Sequence, residues 1–221
     1  IDEWYRVTRD SEGRVTSLIL SNNNLVGAIP DSLRNLTNLE ALELSGNKLT
    51  SLPNLSSMEK WANSQHWQGF AGLSVQNNCL SFDDILPNLP IADISNFNYV
   101  PQAKVGISET ITLYAGENYT IDLGIDSLLT SNIYQWYKDS VAYQQTTLTK
   151  LTVTEAGIYT ATVTNPNAPD LTLESHPVTV ETKWFADLDS DSFGDVANHS
   201  FAVLAPEGYV SDSTDCDDAN A

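Results

Sequence analysis

Between residues 15 and 99 apolar residues return at fixed offsets rather than at a helical period. Val15-x-x-Leu18-x-Leu20-x-x-Asn23-x-Leu25 recurs as Leu39-x-x-Leu42-x-Leu44-x-x-Asn47-x-Leu49, and again as Phe70-x-x-Leu73-x-Val75-x-x-Asn78-x-Leu80. A degraded fourth copy reads Leu89-x-x-Ala92-x-Ile94-x-x-Phe97-x-Tyr99. Alternation inside each copy predicts a short strand. The asparagine amide carries both the donor and the acceptor needed to satisfy backbone groups at the turn that follows. One copy cannot bury its own leucines, so the copies are expected to stack and share a continuous core. The asparagines stand 24 residues apart in the first two copies, then 31 apart, and Phe97 follows after 19. The longer interval places an insertion around 58–69 with Trp61, His66 and Trp67. Asn98-Tyr-Val-Pro-Gln102 reads as a hinge.

Past residue 105 the pattern changes to period two. Thr110–Leu113, Tyr119–Leu123, Ile133–Lys138, Lys150–Val153, Gly157–Thr164 and Leu171–Thr182 are rich in Thr, Val, Ile and Tyr, with Gly, Asn, Asp and Pro between them. Short strands at this spacing predict a β-sandwich.

Charge sharpens the picture at the C-terminus. The chain has 29 acids against 10 bases, a net charge of −19. Residues 181–221 hold ten acids and a single base, Lys183. Nucleic-acid partners and anionic membrane surfaces need basic clusters and are excluded by this balance. Carboxylates so dense oppose a compact state unless cations bind. Asp187, Asp189, Asp191 and Asp195 stand at positions 1, 3, 5 and 9 of one short run. With the carbonyl of Phe193 at position 7, they offer the hard oxygen ligands that calcium takes. Asp215, Asp217 and Asp218 either complete that site or make a second one. The alternative is a solvated acidic tail, but such tails seldom carry aromatics like Trp184, Phe185 and Phe193. Cys79 and Cys216 lie far apart without a Cys-x-x-Cys spacing and are read as free thiols. No apolar run reaches membrane-spanning length. The chain reads as a fragment of something longer.

Three resemblances follow from these residues. Residues 14–100 resemble the leucine-rich-repeat family, in the form with Leu25-Val-Gly27-Ala-Ile29-Pro30 followed by Leu33, Leu36 and Leu39. Tyr134-Gln-Trp136-Tyr-Lys-Asp139 and Glu155-Ala-Gly157-Ile-Tyr159-Thr-Ala161 look like an immunoglobulin-type domain. That resemblance makes Trp136 the core tryptophan and Tyr159 the corner tyrosine. Ala161 replaces the usual cysteine, which implies a disulfide-free variant. The acidic segment is similar to type 3 thrombospondin repeats, with calcium implied; Ser192 stands where such loops usually have glycine. The three in this order resemble modular secreted surface proteins of the Bacteroidetes type.

The expected fold is mainly β. A leucine-rich-repeat solenoid (1–103) precedes an immunoglobulin-like β-sandwich (104–182) and a loop-rich calcium-binding segment (183–221). The concave strip of a solenoid is its usual recognition face. Here it comprises Ser17, Ile19, Ser21, Ala41, Glu43, Ser45, Gly72, Ser74 and Gln76, mostly small and polar. Glu43 and Gln76 on that strip, and Trp61 and Trp67 in the insertion, are the candidate partner-binding residues. The tryptophans either stack on a ligand or fill the irregular turn. No Gly-x-Ser-x-Gly, His-Glu-x-x-His or phosphate loop occurs. The expected role is a secreted or cell-surface, non-catalytic adhesion module stiffened by calcium, with a protein, glycan or second copy as partner. The alternatives are a structural unit of a surface filament, or a glycan-targeting region of a polysaccharide-degrading enzyme.

Overall fold

The computed structural model describes residues 6–58, 61, 72–93, 96–114, 116–126 and 128–214. The chain divides into two compact units. One holds residues 1–105, 125–133 and 163–174; the other holds 106–124, 134–162 and 175–221.

In the first unit the predicted strands form as stacked rungs. The strands are β1 (Val7–Arg9), β2 (Val15–Ile19), β3 (Val26–Ala28), β4 (Ala41–Glu43), β5 (Lys48–Ser51), β6 (Gly72–Ser74) and β7 (Asn96–Asn98). Five of them make one sheet in the order β1-β2-β4-β6-β7, and β3 pairs β5 in a second. From β2 to β7 the pairing is parallel and the register places Leu18, Leu42, Leu73 and Phe97 side by side. The four apolar side chains therefore share one face, the arrangement that lets successive copies bury one another's leucines. Leu39, Leu42, Leu44, Leu49, Leu55, Leu73 and Leu80 are fully or almost fully buried.

The asparagines bind neighbouring rungs together. Asn47 Oδ1 accepts the amides of Asn23 (2.9 Å) and Leu25 (3.0 Å), while Nδ2 donates to the carbonyls of Leu20 (2.9 Å) and Leu44 (2.8 Å). Asn78 repeats the pattern one rung on, accepting from Leu49 N and donating to the carbonyls of Leu44 and Val75. The register corrects the expected fourth copy. Phe97 aligns with Leu73, not with an asparagine, so the last rung runs Phe97-x-Tyr99-x-x-Gln102. Gln102 does the asparagine's work: its Oε1 accepts Leu80 N, and its Nε2 donates to the carbonyls of Val75 and Tyr99. The interval from Asn78 to Gln102 is again 24 residues, and the stretch 98–102 is repeat rather than hinge. One extra methylene lets glutamine reach the same backbone groups.

Between rungs, the helix α1 (Phe82–Ile85) supplies further backbone acceptors. Asp84 accepts Leu52 N and Asn88 accepts Leu55 N. Burial holds the Asp84 carboxyl above its ordinary value despite these bonds. The start of α1 meets Asp126, a nearly buried carboxylate that accepts from Ser81 Oγ and from the amides of Phe82 and Asp83. It satisfies amide donors that a helix start leaves without intrahelical partners.

The second unit is built on β8 (Glu109–Leu113), β9 (Tyr119–Asp122), β10 (Ile133–Lys138), β11 (Val141–Thr146), β12 (Lys150–Val153), β13 (Gly157–Thr164), β14 (Thr172–Glu174), β15 (Val178–Ala186), β16 (Asp195–Ala202) and β17 (Tyr209–Val210). The large sheet runs β11-β10-β13-β15-β16, with β8 and β17 also on β15, and β12 pairs β9 separately. Alternate residues turn inward: Tyr134 and Trp136 on β10, Leu151 and Val153 on β12, Tyr159 and Ala161 on β13. Tyr159 Oη donates to the Glu155 carbonyl at 2.9 Å. The indole Nε1 of Trp136 is buried without a hydrogen-bond partner.

The region after 182 differs from its expected form. β15 crosses residues 182–183 unbroken, so no boundary in the chain's path falls there. Its first half pairs β8 in parallel, and its second half pairs β16 and β17 antiparallel. The segment is thus strand-bearing rather than loop-rich. Its aspartates obscured a run, Asn198–Ala202, that pairs normally once β15 offers a free edge.

Candidate functional site

The acidic loop begins where β15 ends. Asp187 N donates to the Gly208 carbonyl (2.9 Å), which ties the loop's entry to the turn before β17. Asp187 then accepts from the amides of Asp191 (3.1 Å) and Ser192 (3.2 Å), one on each carboxylate oxygen. Asp189 Oδ1 also accepts Asp191 N (3.2 Å), and Asp191 Oδ1 accepts Phe193 N (2.8 Å). These side-chain-to-backbone bonds curl the chain inward. Ser190 and Ser192 complete the curl in the left-handed region, with φ of 64° and 78°. Serine adopts that region at a steric cost that glycine escapes, as the sequence led us to expect at Ser192.

The outcome is a convergence. Asp187, Asp189 and Asp191 each present an oxygen within 4.8 Å of the others. An ion bound at calcium–oxygen distances of about 2.3–2.6 Å can bridge oxygens separated by up to about 5 Å, so the spacing fits. Asp195 stands apart from this group: it opens β16 opposite Ala186, and its Oδ1 accepts Ala197 N (2.8 Å). The Phe193 side chain is half exposed. Gly194 closes the loop where no side chain fits. A Cβ there would lie 2.6 Å from Phe185 Cβ and 3.0 Å from the carbonyl oxygens of Phe185 and Asp212. The chain leading to Asp215, Asp217 and Asp218 therefore passes against the loop, although those three residues lie outside the described ones. Lys183, the base of this segment, sits 4.7 Å over the Phe185 ring.

The solenoid strip is less open than its sequence implied. Ser17, Ala41, Gly72 and Ser74 are buried, and Ile19, Ser21, Glu43, Ser45 and Gln76 are half-buried. Glu43 accepts from Ser45 Oγ (3.2 Å), and Gln76 accepts from Ser74 Oγ (2.7 Å). Gln76 also borders a depression of about 320 Å³ at the last rungs, with Phe97, Asn98, Tyr99, Val100 and Asp170. Asn98, Val100 and Asp170 went unnoticed in the sequence because the fourth rung had been read out of register. Trp61 requires correction as a binding residue: it is fully buried, and its indole donates to the Leu55 carbonyl at 2.9 Å. A large apolar ring with one donor fills the irregular turn and meets a backbone acceptor there. Trp67 lies outside the described residues.

The leucine rich repeat family model matches residues 13–59. The chain carries leucine-rich repeats. Over 49 residues it is 49% identical to the receptor protein kinase WSS1 of Oryza sativa subsp. japonica, covering 22% of this chain and 5% of the rice protein. The Listeria monocytogenes InlP crystal structure aligns with 75% of this chain and 53% of its own, at 22% identity and a TM-score of 0.32. The chain therefore spans a small part of the first relative and about half of the second. Among the described residues, no helix is long and apolar enough to cross a membrane.

Proposed function

We propose that this chain is a non-catalytic extracellular binding and adhesion module, stiffened by calcium at its C-terminal segment. The observation that carries the reading is the repeat match at 13–59, on a stretch whose strands stack in parallel register with a surface strip beside them. Leucine-rich repeats use such stacked surfaces for protein recognition. For the second unit we infer an immunoglobulin-like sandwich. Buried Trp136 and the Tyr159–Glu155 hydrogen bond, which has the form of a tyrosine corner, support it. For the acidic segment we infer calcium, held by Asp187, Asp189 and Asp191 with help from residues after Thr214. The converged oxygens and the hard-oxygen donor set support that ion. The ion would neutralise the carboxylates and tie the loop to β15 and β17. Burial of Trp61 removes one of the two tryptophans on which a glycan-targeting role rested.

The test is thermal unfolding in EDTA, then across a calcium titration, with magnesium as the control. A ligand that binds only the native state raises the melting temperature as its concentration passes the dissociation constant. Extracellular modules bind calcium at about 10⁻⁴–10⁻³ M. We expect a calcium-specific rise in that range that is lost in Asp189→Asn. A melt indifferent to calcium would remove the ion from the reading and leave the repeats and the strand-rich unit as a scaffold.

A further inference from the structure

We propose that the depression bordered by Gln76, Phe97, Asn98, Tyr99, Val100 and Asp170 binds the guanidinium of an arginine side chain on a partner polypeptide. This deepens the binding-module reading and rests on it.

The chemistry of the lining points one way. Its charged group is a carboxylate, Asp170, and none of its six residues is basic. Gln76 and Asn98 bring amide oxygens, and Asn98 and Asp170 are exposed and ready to engage a ligand. Phe97 and Tyr99 pack ring to ring with centroids 4.9 Å apart and form an apolar wall. An arginine matches each part: its methylenes lie along apolar surface, and its planar head donates to several oxygens at once. Burial first, and the Asp170 charge second, hold the Tyr99 phenol above its ordinary value, which puts that carboxylate close to the ring. A phosphate or carboxylate ligand would meet Asp170 as a like charge. At the scale of the whole chain, a net charge of −19 draws a cationic partner in and repels an anionic one.

The site also explains why the last rung departs from the others. On earlier rungs the positions equivalent to Asn98 and Val100 are Glu43 and Ser45, half-buried and hydrogen-bonded to each other. At the last rung Asn98 and Val100 are exposed instead, so the polar strip opens where Asp170 stands.

The experiment is an NMR titration of the full chain with N-acetyl-arginine N-methylamide. The citrulline counterpart (same shape, no charge) and the lysine counterpart serve as further arms. We expect saturable shifts at the amides of Gln76, Asn98 and Val100 with the arginine probe, weaker ones with lysine and none with citrulline. Asp170→Asn should weaken arginine binding about tenfold or more, as loss of a hydrogen bond to a charged group does. Asp170 is exposed, so this variant should melt like the parent, and the melt is run to check it. Four outcomes overturn the assignment. Citrulline binding would mean a neutral ligand, and lysine binding equally well would mean no guanidinium preference. Unchanged affinity in Asp170→Asn would remove the counter-charge. Unsaturable shifts spread over the acidic surface would mean diffuse ion attraction. The calcium melts do not depend on Asp170, so the adhesion-module reading can survive failure here.

Discussion

Asn78→Ala isolates what the asparagine ladder contributes. Asn78 is fully buried; it accepts Leu49 N at 3.0 Å and donates to Leu44 O and Val75 O at 2.9 Å each. The three bonds are not of equal weight once the side chain is gone. Leu44 O keeps the Asn47 amide at 2.8 Å, and Val75 O keeps the Gln102 amide at 3.1 Å. Leu49 N loses its acceptor in a buried setting. An orphaned buried donor costs about 1–3 kcal/mol, and each partial loss at a carbonyl adds about 0.5 kcal/mol at the low end of hydrogen-bond values. The expected destabilisation is therefore about 2–4 kcal/mol, with the exposed Asn35→Ala within about 0.5 kcal/mol of the parent. Two compact units can unfold separately, so a single melting curve is a blunt probe. Urea unfolding should be paired with hydrogen exchange read at individual amides. The Leu49 amide should lose most of its protection in Asn78→Ala, while amides of β13 keep theirs. Unchanged protection at Leu49, or a cost under about 0.5 kcal/mol, would refute the ladder as a source of stability.

Two further outcomes follow from groups in the second unit. Burial, and after it the charges of Tyr143, Glu155 and Asp139, push the Tyr159 phenol from its ordinary 10.0 up to about 12. The folded state thus holds the phenolic proton more tightly. Its contribution is complete below pH 10, and it drains away as pH rises towards 12 and the unfolded chain ionises first. Tyr159→Phe should cost about 1 kcal/mol near neutrality for the lost bond to Glu155, and should flatten the fall in melting temperature above pH 10. Parallel curves for the two proteins would show that Tyr159 does not drive that fall. Gly194→Ala should destabilise by about 1–3 kcal/mol, because a Cβ 2.6 Å from Phe185 Cβ forces the loop off β15. It should also weaken any calcium-induced rise in melting temperature, since Asp187 and Asp191 lie on the loop being displaced. A normal melt in this variant would mean that the loop yields without strain.

How much of this was legible in the sequence depended on what each residue had to satisfy. The first three rungs could be read directly, because leucines at fixed offsets bury together only when stacked and the asparagine amide has no cheaper substitute at the turn. The fourth could not, because Gln102 performs the asparagine's bonds under another name, while Phe97 and Tyr99 stand in for leucines. An amide sought 24 residues past Asn78, whatever its length, would have found it. Strands β10, β12 and β13 were legible from alternation, for they bury one face. β11, Val141–Thr146, was missed because five of its six residues are exposed, so no core imposes an alternation on it. Trp61 illustrates the opposite limit: composition alone does not separate a tryptophan that stacks on a ligand from one that fills a turn, and the Leu55 carbonyl decides for the second.

The acidic loop was the most legible chemistry and also the one that sequence placed least well in the fold. Spacing alone brought three carboxylates together, because bonds from the amides of Asp191, Ser192 and Phe193 to carboxylates two to five residues back are short-range. What spacing did not convey is that the loop is anchored from outside. β15 arrives from the large sheet, Gly208 accepts Asp187 N, and the carbonyl of Asp212 presses on Gly194. These are contacts of 13 to 21 residues' separation, invisible to a local motif. They also change what calcium would do. On a free tail an ion would order only the residues that ligate it, and little would propagate. Here the loop's ends are fixed to the strand that also carries β8 and β16, so neutralising its carboxylates would relieve repulsion within the unit itself. Calcium protection in hydrogen exchange should therefore reach the amides of Trp184 to Ala186 and Tyr209, beyond the loop, and protection confined to 187–195 would argue that the loop and the sheet are uncoupled.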